Sequence, residues 1–509
     1  MKPLMEQETA NFAETILAGG DPDAPAVLFG DDTFTHGDLR ELALGLGATL
    51  LEQGLKPKDR VGLFAENGPF FIAAYLGSMR RGMCVVPFQV DCSSEAFTRI
   101  VESTGLRAIF VSRRFRRQVE PWAERLGVML FCRDPADCVW PAPRSWPPFR
   151  VDPRRDLAAI MFTSGSTGWQ KGVMVTHHNL ACNTRDIIDY LGLSPEDRVM
   201  AVLPLYYCYG ASLLHTHLAA GGSLVLNNRF MFPAKVLDEM AEKQCTGLAG
   251  VPSTYQILLR KTDFAARRFP RLKWLQQAGG KLPNRFLREI RRAMPEVRLF
   301  VMYGQTEATA RLSYLPPERL DEKLGAIGRV GRTLPHTQLE VLHGDGTPVE
   351  PGSDEPGEIV ASGENITPGY WDDPEETRRF FRDGKLWTGD LARVDEDGYI
   401  FVVERARDFI KAMGNRVGPG EIEEVIADMD EVVEVAVVGV PDDVWGEAVK
   451  AYVVPTRPGA LSAEGVRRHC LKRLPNYKIP HYVEFLARLP KTAHGKVAKE
   501  RLKKVARTQ

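Results

Sequence analysis

The sequence of 509 residues lacks the signatures of several protein classes. No CxxC pair occurs among its eight cysteines, which argues against a zinc ribbon and against a redox dithiol. Scattered cysteines of this kind are typical of free thiols in a reducing compartment, so we expect a cytoplasmic protein. No apolar run reaches about 18 residues, so no membrane span is expected, and the acidic N-terminus does not predict a secretory signal.

Charge of one sign is not in excess either. Lysine and arginine number 66, aspartate and glutamate number 66, and the formal net charge is +0. Such a balance gives no reason to expect sequence-independent binding to nucleic acid. The stretch RRFRRQ at 113–118 could contact phosphates or anionic lipid, but a run of this kind is more often a solvated helix face.

Short apolar runs alternate with longer helical patterns over most of the chain. Runs such as RVGLFAEN, AAIMFTS and CTGLAGVP stop at Pro, Ser or Asn and predict strands. The segments FPAKVLDEMAEK and NRFLREIRRAM predict helices between such strands. This alternation predicts an α/β architecture with largely parallel sheets, in which ligands bind beyond the carboxyl ends of strands.

The pattern changes towards the C-terminus. Turn-rich segments such as HGDGTPVEPGSDEPGE and RVDEDGYIFV predict hairpins after about Gly325. From Glu404 onward, two helical segments and the strands VEVAVVGV and VKAYVVP predict a small α+β unit. We therefore expect an N-terminal domain over 1–404 and a C-terminal domain over 405–509.

The stretch TSGSTGWQKG at 163–172 has the composition of a phosphate cradle. Glycines let backbone N–H groups approach an oxyanion, hydroxyls add donors, and Lys171 adds charge. The stretch follows an apolar strand and precedes a helical pattern, which favours a strand–loop–helix arrangement. It does not have the Walker A spacing. The alternative is a flexible surface loop rich in Gly and Ser.

Four further motifs accompany this loop: YGQTEAT (303–309), WTGDLARVDEDGYI (387–400), ERARDFIKAMGNRVGPGEIE (404–423) and KTAHGKV (491–497). In this order and spacing they resemble the adenylate-forming superfamily of acyl-CoA synthetases, aryl-CoA ligases, luciferases and nonribosomal adenylation domains. The resemblance covers nearly the whole chain. It implies a large domain with parallel sheets and a small β-barrel-like part, followed by a small mobile C-terminal domain.

The resemblance also implies a reaction and its cofactors. A carboxylate attacks the α-phosphate of ATP with Mg²⁺, pyrophosphate leaves, and the acyl-adenylate then passes its acyl group to the thiol of CoA or of a carrier-protein phosphopantetheine. Lys496, Thr306 and Glu307 match the family's catalytic lysine, its threonine on the α-phosphate and its magnesium ligand. The family's ATP-binding positions correspond to Thr163, Ser164, Gly165, Ser166, Thr167, Gly168, Lys171, Gly279, Tyr303, Gly304, Asp390, Arg405 and Arg416.

The remaining expectations concern the acid, the thiol and the movement of the C-terminal domain. Arg407 occupies the family's hinge position, and Lys411 and Gly414 lie on the face that family members turn towards the thiol channel. Tyr207 replaces a histidine common in this family. Cys208 replaces an aspartate that holds the ammonium of amino acid substrates, so an α-amino acid is disfavoured. The expected acyl pocket comprises Tyr206, Tyr207, Cys208, Gly210, Val251, Met302 and Thr309.

Three functions stay open at this point. The leading one is a free-standing AMP-forming acyl-CoA synthetase. The first alternative is a ligase that loads an acyl or aminoacyl group onto a carrier protein. The second is a non-catalytic binding protein that kept the fold, which the intact set of Lys171, Thr306, Glu307, Asp390, Arg405 and Lys496 argues against.

Overall fold

The computed structural model describes residues 11–133, 147–164, 170–405, 408–412, 415–442, 446–492 and 495–506. Within these ranges the strands form four sheets. Every helix found among these residues is too short or too polar to span a lipid bilayer.

The strands follow one another in chain order. They are β1 (Pro25–Phe29), β2 (Asp32–Thr35), β3 (Arg60–Phe64), β4 (Cys84–Pro87), β5 (Ala108–Ser112), β6 (Met129–Arg133), β7 (Leu157–Ser164), β8 (Gln170–Thr176), β9 (Arg198–Ala201), β10 (Ser223–Leu226), β11 (Gly247–Gly250), β12 (Trp274–Gln277), β13 (Arg298–Tyr303), β14 (Ser313–Leu315), β15 (Gly331–Leu334), β16 (Thr337–Leu342), β17 (Gly357–Gly363), β18 (Phe381–Arg382), β19 (Lys385–Val394), β20 (Ile400–Arg405), β21 (Ile410–Ala412), β22 (Asn415–Val417), β23 (Val432–Asp442), β24 (Gly446–Pro455) and β25 (Tyr482–Phe485).

The helices are numbered in the same way. They are α1 (Phe12–Leu17), α2 (His36–Glu52), α3 (Pro69–Arg80), α4 (Ser94–Thr104), α5 (Arg116–Arg125), α6 (His177–Leu191), α7 (Cys208–Ala219), α8 (Pro233–Glu242), α9 (Pro252–Lys261), α10 (Asn284–Ala293), α11 (Pro374–Phe380), α12 (Pro419–Ala427), α13 (Ala463–Leu471) and α14 (Lys499–Ala506).

Two largely parallel sheets build most of the large domain, which we define as β1–β20 with α1–α11. The first sheet has the order β6-β5-β3-β4-β7-β8, and the second has the order β14-β13-β12-β11-β9-β10-β1-β2. Antiparallel pairs occur at their edges, where β8, β14 and β2 meet their neighbours. One hydrophobic core combines side chains of both sheets with those of α1, α2, α3, α6 and α7.

The other two sheets complete the fold. The third sheet, β15 to β20, is antiparallel and curls into a half-barrel with its own core. The fourth sheet, β21 to β25, packs with α12, α13 and α14 in an α+β arrangement that we call the C-terminal domain. The prediction of an α/β protein with parallel sheets, a barrel-like part and an α+β C-terminal domain is confirmed.

The expected strand before the glycine loop and the expected helix after it are present as β7 and α6, but the helix does not follow the loop directly. Residues 170–176 form β8, which pairs antiparallel with β7 so that Thr163 lies opposite Lys171. Helix α6 begins only at His177, where Thr176 caps it by accepting a hydrogen bond from the Asn179 N–H at 3.1 Å. In β8, Val173 and Val175 are buried and Met174 between them is partly exposed, so one face of the strand faces the core and the helix N-terminus lies one strand away from the loop.

The arginine-rich stretch at 113–118 is helical and solvated, as expected. It forms a short 3₁₀ turn followed by the first residues of α5, and its four arginines are exposed. Arg116 pairs with Glu120 one helical turn later.

Candidate active site

Lys496 extends from the C-terminal domain into the large domain. Its Nζ donates a hydrogen bond to the Tyr207 hydroxyl at 3.1 Å and lies 5.5 Å from the centroid of that ring. A Cβ atom on Gly279 would lie 3.1 Å from both Lys496 Cε and a methyl group of Val251, so these three residues are in contact. Burial, aided by nearby Arg405, lowers the pKa of Lys496 below its ordinary value. The site therefore contains a partly desolvated cation.

Contacts between the two domains hold Lys496 in this position. Ser253 Oγ of the large domain donates to the carbonyl of Gly495 at 2.7 Å. Lys281 Nζ lies 3.3 Å from the carboxylate of Glu424 on α12. No role is predicted from sequence for Lys281 or Ser253, because neither has a local pattern that points to a partner more than a hundred residues away.

Asp390, Arg405 and Tyr303 form a connected group. Asp390 on β19 and Arg405 on β20 are register partners, and Arg405 Nε donates to Asp390 Oδ1 at 2.9 Å. The Tyr303 hydroxyl donates to the other carboxylate oxygen at 2.6 Å. Asp390 raises the pKa of Arg405, and burial raises that of Tyr303. A carboxylate offers about four lone-pair sites, so Asp390 can accept further hydrogen bonds.

Thr306 and Glu307 lie in a short 3₁₀ turn after β13. The Thr306 hydroxyl donates to Cys208 Sγ at 3.3 Å. Glu307 Oε1 accepts a hydrogen bond from the Tyr370 hydroxyl at 2.8 Å. The turn thus joins α7 of the large domain to the segment that precedes α11.

The loop that carries this turn folds back tightly on itself. A Cβ atom on Gly304 would lie 1.9 Å from the carbonyl oxygen of Ala310, so only glycine fits there. Thr309 and Ala310 have φ values of 61° and 115°, a backbone conformation that is unfavourable for residues other than glycine. Backbone strain of this kind is maintained where the surrounding structure requires a particular placement of a side chain.

Lys171 is paired with a carboxylate that sequence reasoning missed. Its Nζ forms an ion pair with Glu376 on α11, and the side chains are only 10% and 17% exposed. The ammonium also lies 5.2 Å from the ring centroid of Tyr370 and 5.0 Å from that of Phe380. Burial alone would raise the pKa of Glu376, but hydrogen bonds from Lys171 and Arg379 bring it below its ordinary value. Nothing in the spacing of PEETRRF indicates this contact.

The expected acyl-pocket residues gather at the start of α7 and at β13. Tyr206 and Cys208 are buried, and burial raises the pKa of the Cys208 thiol. Met302 Sδ accepts a hydrogen bond from the Tyr190 hydroxyl at 3.0 Å, so Tyr190 on α6 joins this group although sequence reasoning did not select it. A protonated thiol is a poor nucleophile, so the raised pKa disfavours covalent chemistry at Cys208.

Two expected pocket residues have contacts of another kind. A Cβ atom on Gly210 would lie 2.0 Å from the Pro204 carbonyl oxygen, so this glycine permits close backbone packing. The Thr309 hydroxyl donates to the carbonyl of Asn365 at 2.7 Å, which ties the loop to the half-barrel.

Several predicted residues lie outside the described part of the chain. They are Gly165, Ser166, Thr167, Gly168, Arg407 and Gly414. Ser164 and Arg416 are described only by their backbone, which pairs with Gln170 and Lys411. Lys411 is exposed on β21, and its backbone N–H donates to Glu447 at 2.7 Å rather than to a residue around Lys496.

Comparison with known proteins identifies the family. Residues 17–371 match the model of the AMP-binding enzyme, and residues 421–496 match that of the AMP-binding enzyme C-terminal domain. The chain belongs to the AMP-binding enzyme family. Two known proteins are similar in sequence to this AMP-binding enzyme. The indoleacetate–CoA ligase of Aromatoleum aromaticum is 30% identical over 95% of both chains, and the sulfoacetate–CoA ligase of Cupriavidus necator is 32% identical over 94% of both.

A solved structure shows the same architecture. The ATP-bound MatB of Rhodopseudomonas palustris superposes on this AMP-binding enzyme with a TM-score of 0.85 and 29% identity, covering 98% of this chain and 99% of that one. The resemblance to the adenylate-forming superfamily is confirmed. The protein is an AMP-forming acid–thiol ligase.

Proposed function

We propose that this ligase converts a carboxylic acid, ATP and CoA into an acyl-CoA, AMP and pyrophosphate through an acyl-adenylate. The observation that carries the proposal is the placement of Lys496. Its pKa responds to Arg405, Asp390 and Glu307, so residues from both domains share one electrostatic environment. A cation from the C-terminal domain, set among nucleotide-binding candidates of the large domain, suits a reaction between two anions.

ATP would bind across two groups of residues, one formed by Asp390, Arg405 and Tyr303 and the other around Lys171. Asp390 and Arg405 would hold the ribose, with the ring of Tyr303 against adenine and with Gly279, Gly304 and Arg416 close by. Lys171 and the loop at 163–168 would hold the β- and γ-phosphates. The carboxylate of Asp390 fits this role because its two present partners leave lone pairs for the ribose hydroxyls.

The residues present also fit a magnesium ion. Glu307 is a hard carboxylate ligand beside the Thr306 hydroxyl, and the Tyr370 hydrogen bond orients it through one oxygen. When bound, the ion would polarise phosphate oxygens and spread the negative charge of the departing pyrophosphate.

Lys496 would act in the first half-reaction. A carboxylate oxygen forms a bond to the α-phosphorus as the bond to pyrophosphate breaks, and negative charge accumulates on the α-phosphate oxygens. The Lys496 ammonium, with the Thr306 hydroxyl, would stabilise that charge. Preorganised charge in a partly dehydrated site stabilises a transition state more than the same charge in water.

The second half-reaction would require a different placement of the C-terminal domain. We propose that the boundary lies between residues 404 and 405 and that Arg407 is the hinge, next to the end of β20. Rotation would remove Lys496 and bring Lys411 and Gly414 to the thiol channel. The CoA sulfur then bonds to the acyl carbon, the thiol proton is released, and the bond to AMP breaks.

The acid is not expected to be an α-amino acid. Cys208 and Tyr207 stand at the entrance to α7, and a buried ammonium would find a thiol there instead of a carboxylate. The two relatives named above act, by their names, on indoleacetate and on sulfoacetate, which carry no amino group next to the carboxylate. We place the reaction in the cytoplasm, in keeping with the free thiols of Cys84, Cys92, Cys182, Cys208, Cys245 and Cys470.

Acid-dependent ATP–pyrophosphate exchange tests the proposal. Exchange with an acid, followed by acyl-CoA formation when CoA is added, is the expected result. Exchange without acyl-CoA would redirect the second step to a carrier-protein phosphopantetheine. Absence of exchange with short, long, aromatic, dicarboxylic and amino acids, in a protein that binds ATP, would contradict the proposal.

A further inference from the structure

Arg311 is a buried cation that forms no ion pair with any residue that the structure describes. Its side chain is 1% exposed, and it follows the Thr306–Glu307 turn on the same loop. Nε donates to the Tyr190 hydroxyl at 2.9 Å, and the guanidinium carbon lies 5.3 Å from the ring centroid of Tyr209. Among the described residues, nothing accepts a hydrogen bond from the buried Nη2.

The backbone of Arg311 is held in place, so its position is well defined. Its N–H donates to Asn183 Oδ1 at 3.2 Å, and Asn183 Nδ2 donates back to the Arg311 carbonyl at 2.9 Å. Asp186, on the same helix, is not available as a counter-ion because Oδ1 lies 2.6 Å from His336 Nδ1. A hydroxyl and a ring face do not neutralise a guanidinium, and an uncompensated buried charge is strongly unfavourable.

Gln276 is a second unpartnered group on the same side of the second sheet. It is 0% exposed, and in the described structure neither its Oε1 nor its Nε2 has a hydrogen-bond partner. Trp274 packs in the core that contains Tyr209, and side chains alternate along a strand, so Gln276 projects towards that same core. The Tyr209 hydroxyl donates to the Gln276 carbonyl at 3.1 Å, which places the two residues side by side.

Lys496 and Arg311 contact neighbouring residues at the start of α7. Lys496 contacts Tyr207, Arg311 contacts Tyr209, and Cys208 stands between the two tyrosines. Burial raises the pKa of Cys208, and both Lys496 and Arg311 oppose that rise, so both cations are close to its thiol. The start of α7 is thus in contact with two cations, Lys496 at Tyr207 and Arg311 at Tyr209.

We propose that the acid activated by this enzyme carries a second anionic group, a carboxylate or a sulfonate, which pairs with Arg311 while the reacting carboxylate meets Lys496. Gln276 would donate its amide N–H to the same group, and the faces of Tyr190 and Tyr209 would enclose the carbon skeleton between the two charges. This inference rests on the proposed function.

Matched pairs of acids test it with the wild-type enzyme. Each pair has the same carbon skeleton with and without the second anion: butanoate and butanedioate, hexanoate and hexanedioate, benzoate and benzene-1,3-dicarboxylate, propanoate and 3-sulfopropanoate. We expect kcat/KM in ATP–pyrophosphate exchange to be at least tenfold higher for the dianion in at least one pair. A higher value for the monoanion in every pair would overturn the inference.

Substitution of Arg311 separates recognition from a structural role. Arg311→Met keeps most of the volume and removes the charge, so it should abolish the preference for dianions and leave the KM for ATP unchanged. Arg311→Lys should retain part of the preference. A merely structural residue would lower kcat for both members of a pair alike. An unchanged preference in a folded Arg311→Met variant would refute the assignment.

A second variant keeps the test valid if Arg311→Met does not fold, as judged by thermal unfolding and ATP binding. Gln276→Leu should raise the KM for dianions several-fold and leave monoanions unaffected; an equal change for both contradicts the inference. If no acid supports exchange, the proposed function fails, and calorimetry still decides the subsite. Butanedioate and benzene-1,3-dicarboxylate should then bind the wild type and not Arg311→Met, and no binding to the wild type overturns the inference.

Discussion

Replacement of Lys496 by methionine should abolish adenylation while ATP still binds. Methionine has a similar length and keeps the contacts of the hydrocarbon chain with Gly279 and Val251, so the domain contact through Ser253 and Gly495 should persist. The change removes only the ammonium and its hydrogen bond to Tyr207. Its effect therefore reports the electrostatic contribution of this side chain.

The magnitude follows from the environment of the ammonium. At roughly 3 Å and an effective dielectric constant of about 20, one pair of unit charges interacts by about 5 kcal/mol. Part of this attraction already exists between Lys496 and the bound substrates and does not accelerate the reaction. Loss of one preorganised group at a developing charge costs about 3–4 kcal/mol, so the adenylation rate should fall by roughly 10²–10³.

The assay measures each half-reaction on its own. Single-turnover adenylation should show the full loss in Lys496→Met, with the KM for ATP changed less than about threefold, because the effect is on the transition state. Thioester formation from a presynthesised acyl-adenylate and CoA should be close to wild type, since the proposed second pose does not use Lys496. Wild-type adenylation, or equal losses in both half-reactions, would refute the reasoning.

The pH dependence gives an independent check on the same residue. Burial lowers the pKa of Lys496, and only the protonated form carries charge. The kcat/KM for adenylation by the wild type, which reports on the free enzyme, should therefore decline as the pH rises, with a midpoint below the 10.5 of an ordinary lysine. A variant with Lys496→Arg, whose guanidinium stays protonated, should lose this decline even if its absolute rate is lower.

Three further substitutions test the other groups of the site. Glu307→Gln should raise the Mg²⁺ concentration needed for half-maximal exchange several-fold, because an amide is a weaker ligand than a carboxylate, and unchanged magnesium dependence would count against the ligand role. Asp390→Asn should raise the KM for ATP about tenfold in steady-state exchange, since it weakens ribose binding and the contact with Arg405, whereas an unaltered KM would remove the assignment. Glu376→Gln should lower the KM for ATP, because Lys171 no longer has to give up its ion pair with the Glu376 carboxylate when it binds a phosphate. A raised KM in a folded variant would show that Glu376 helps to bind ATP.

Local patterns in the sequence were enough for the fold class and for the type of reaction. Alternating apolar runs and their Gly, Pro and Ser stops predicted parallel sheets, because a strand buried on both faces requires a continuous apolar segment. The motifs at 303–309, 387–400 and 491–497 led to the family because the residues of each motif lie next to one another in the sequence. The roles of individual residues in those motifs stay predictions.

The same patterns failed at the glycine loop. A strand, a Gly-rich segment and a later helix predicted a helix N-terminus beside the phosphates, but β8 lies between them. The residues of β8 pair with β7 because their apolar side chains are buried in the core that both strands share, and this tertiary burial decides between helix and strand for a short apolar segment.

Sequence alone determined which chemical groups this protein has: the lysine of a Gly-Lys motif, a Thr-Glu pair, and an aspartate and an arginine fifteen residues apart. Only the tertiary structure decided what those groups meet. The contact between Lys496 and Tyr207 joins residues 289 positions apart. The pairing of Lys171 with Glu376, and the burial of Arg311 with no counter-ion in the described part of the chain, could not be predicted from sequence either. The physical reason is that charge and hydrogen-bond demand belong to a residue, whereas their satisfaction depends on neighbours that packing of distant elements brings together.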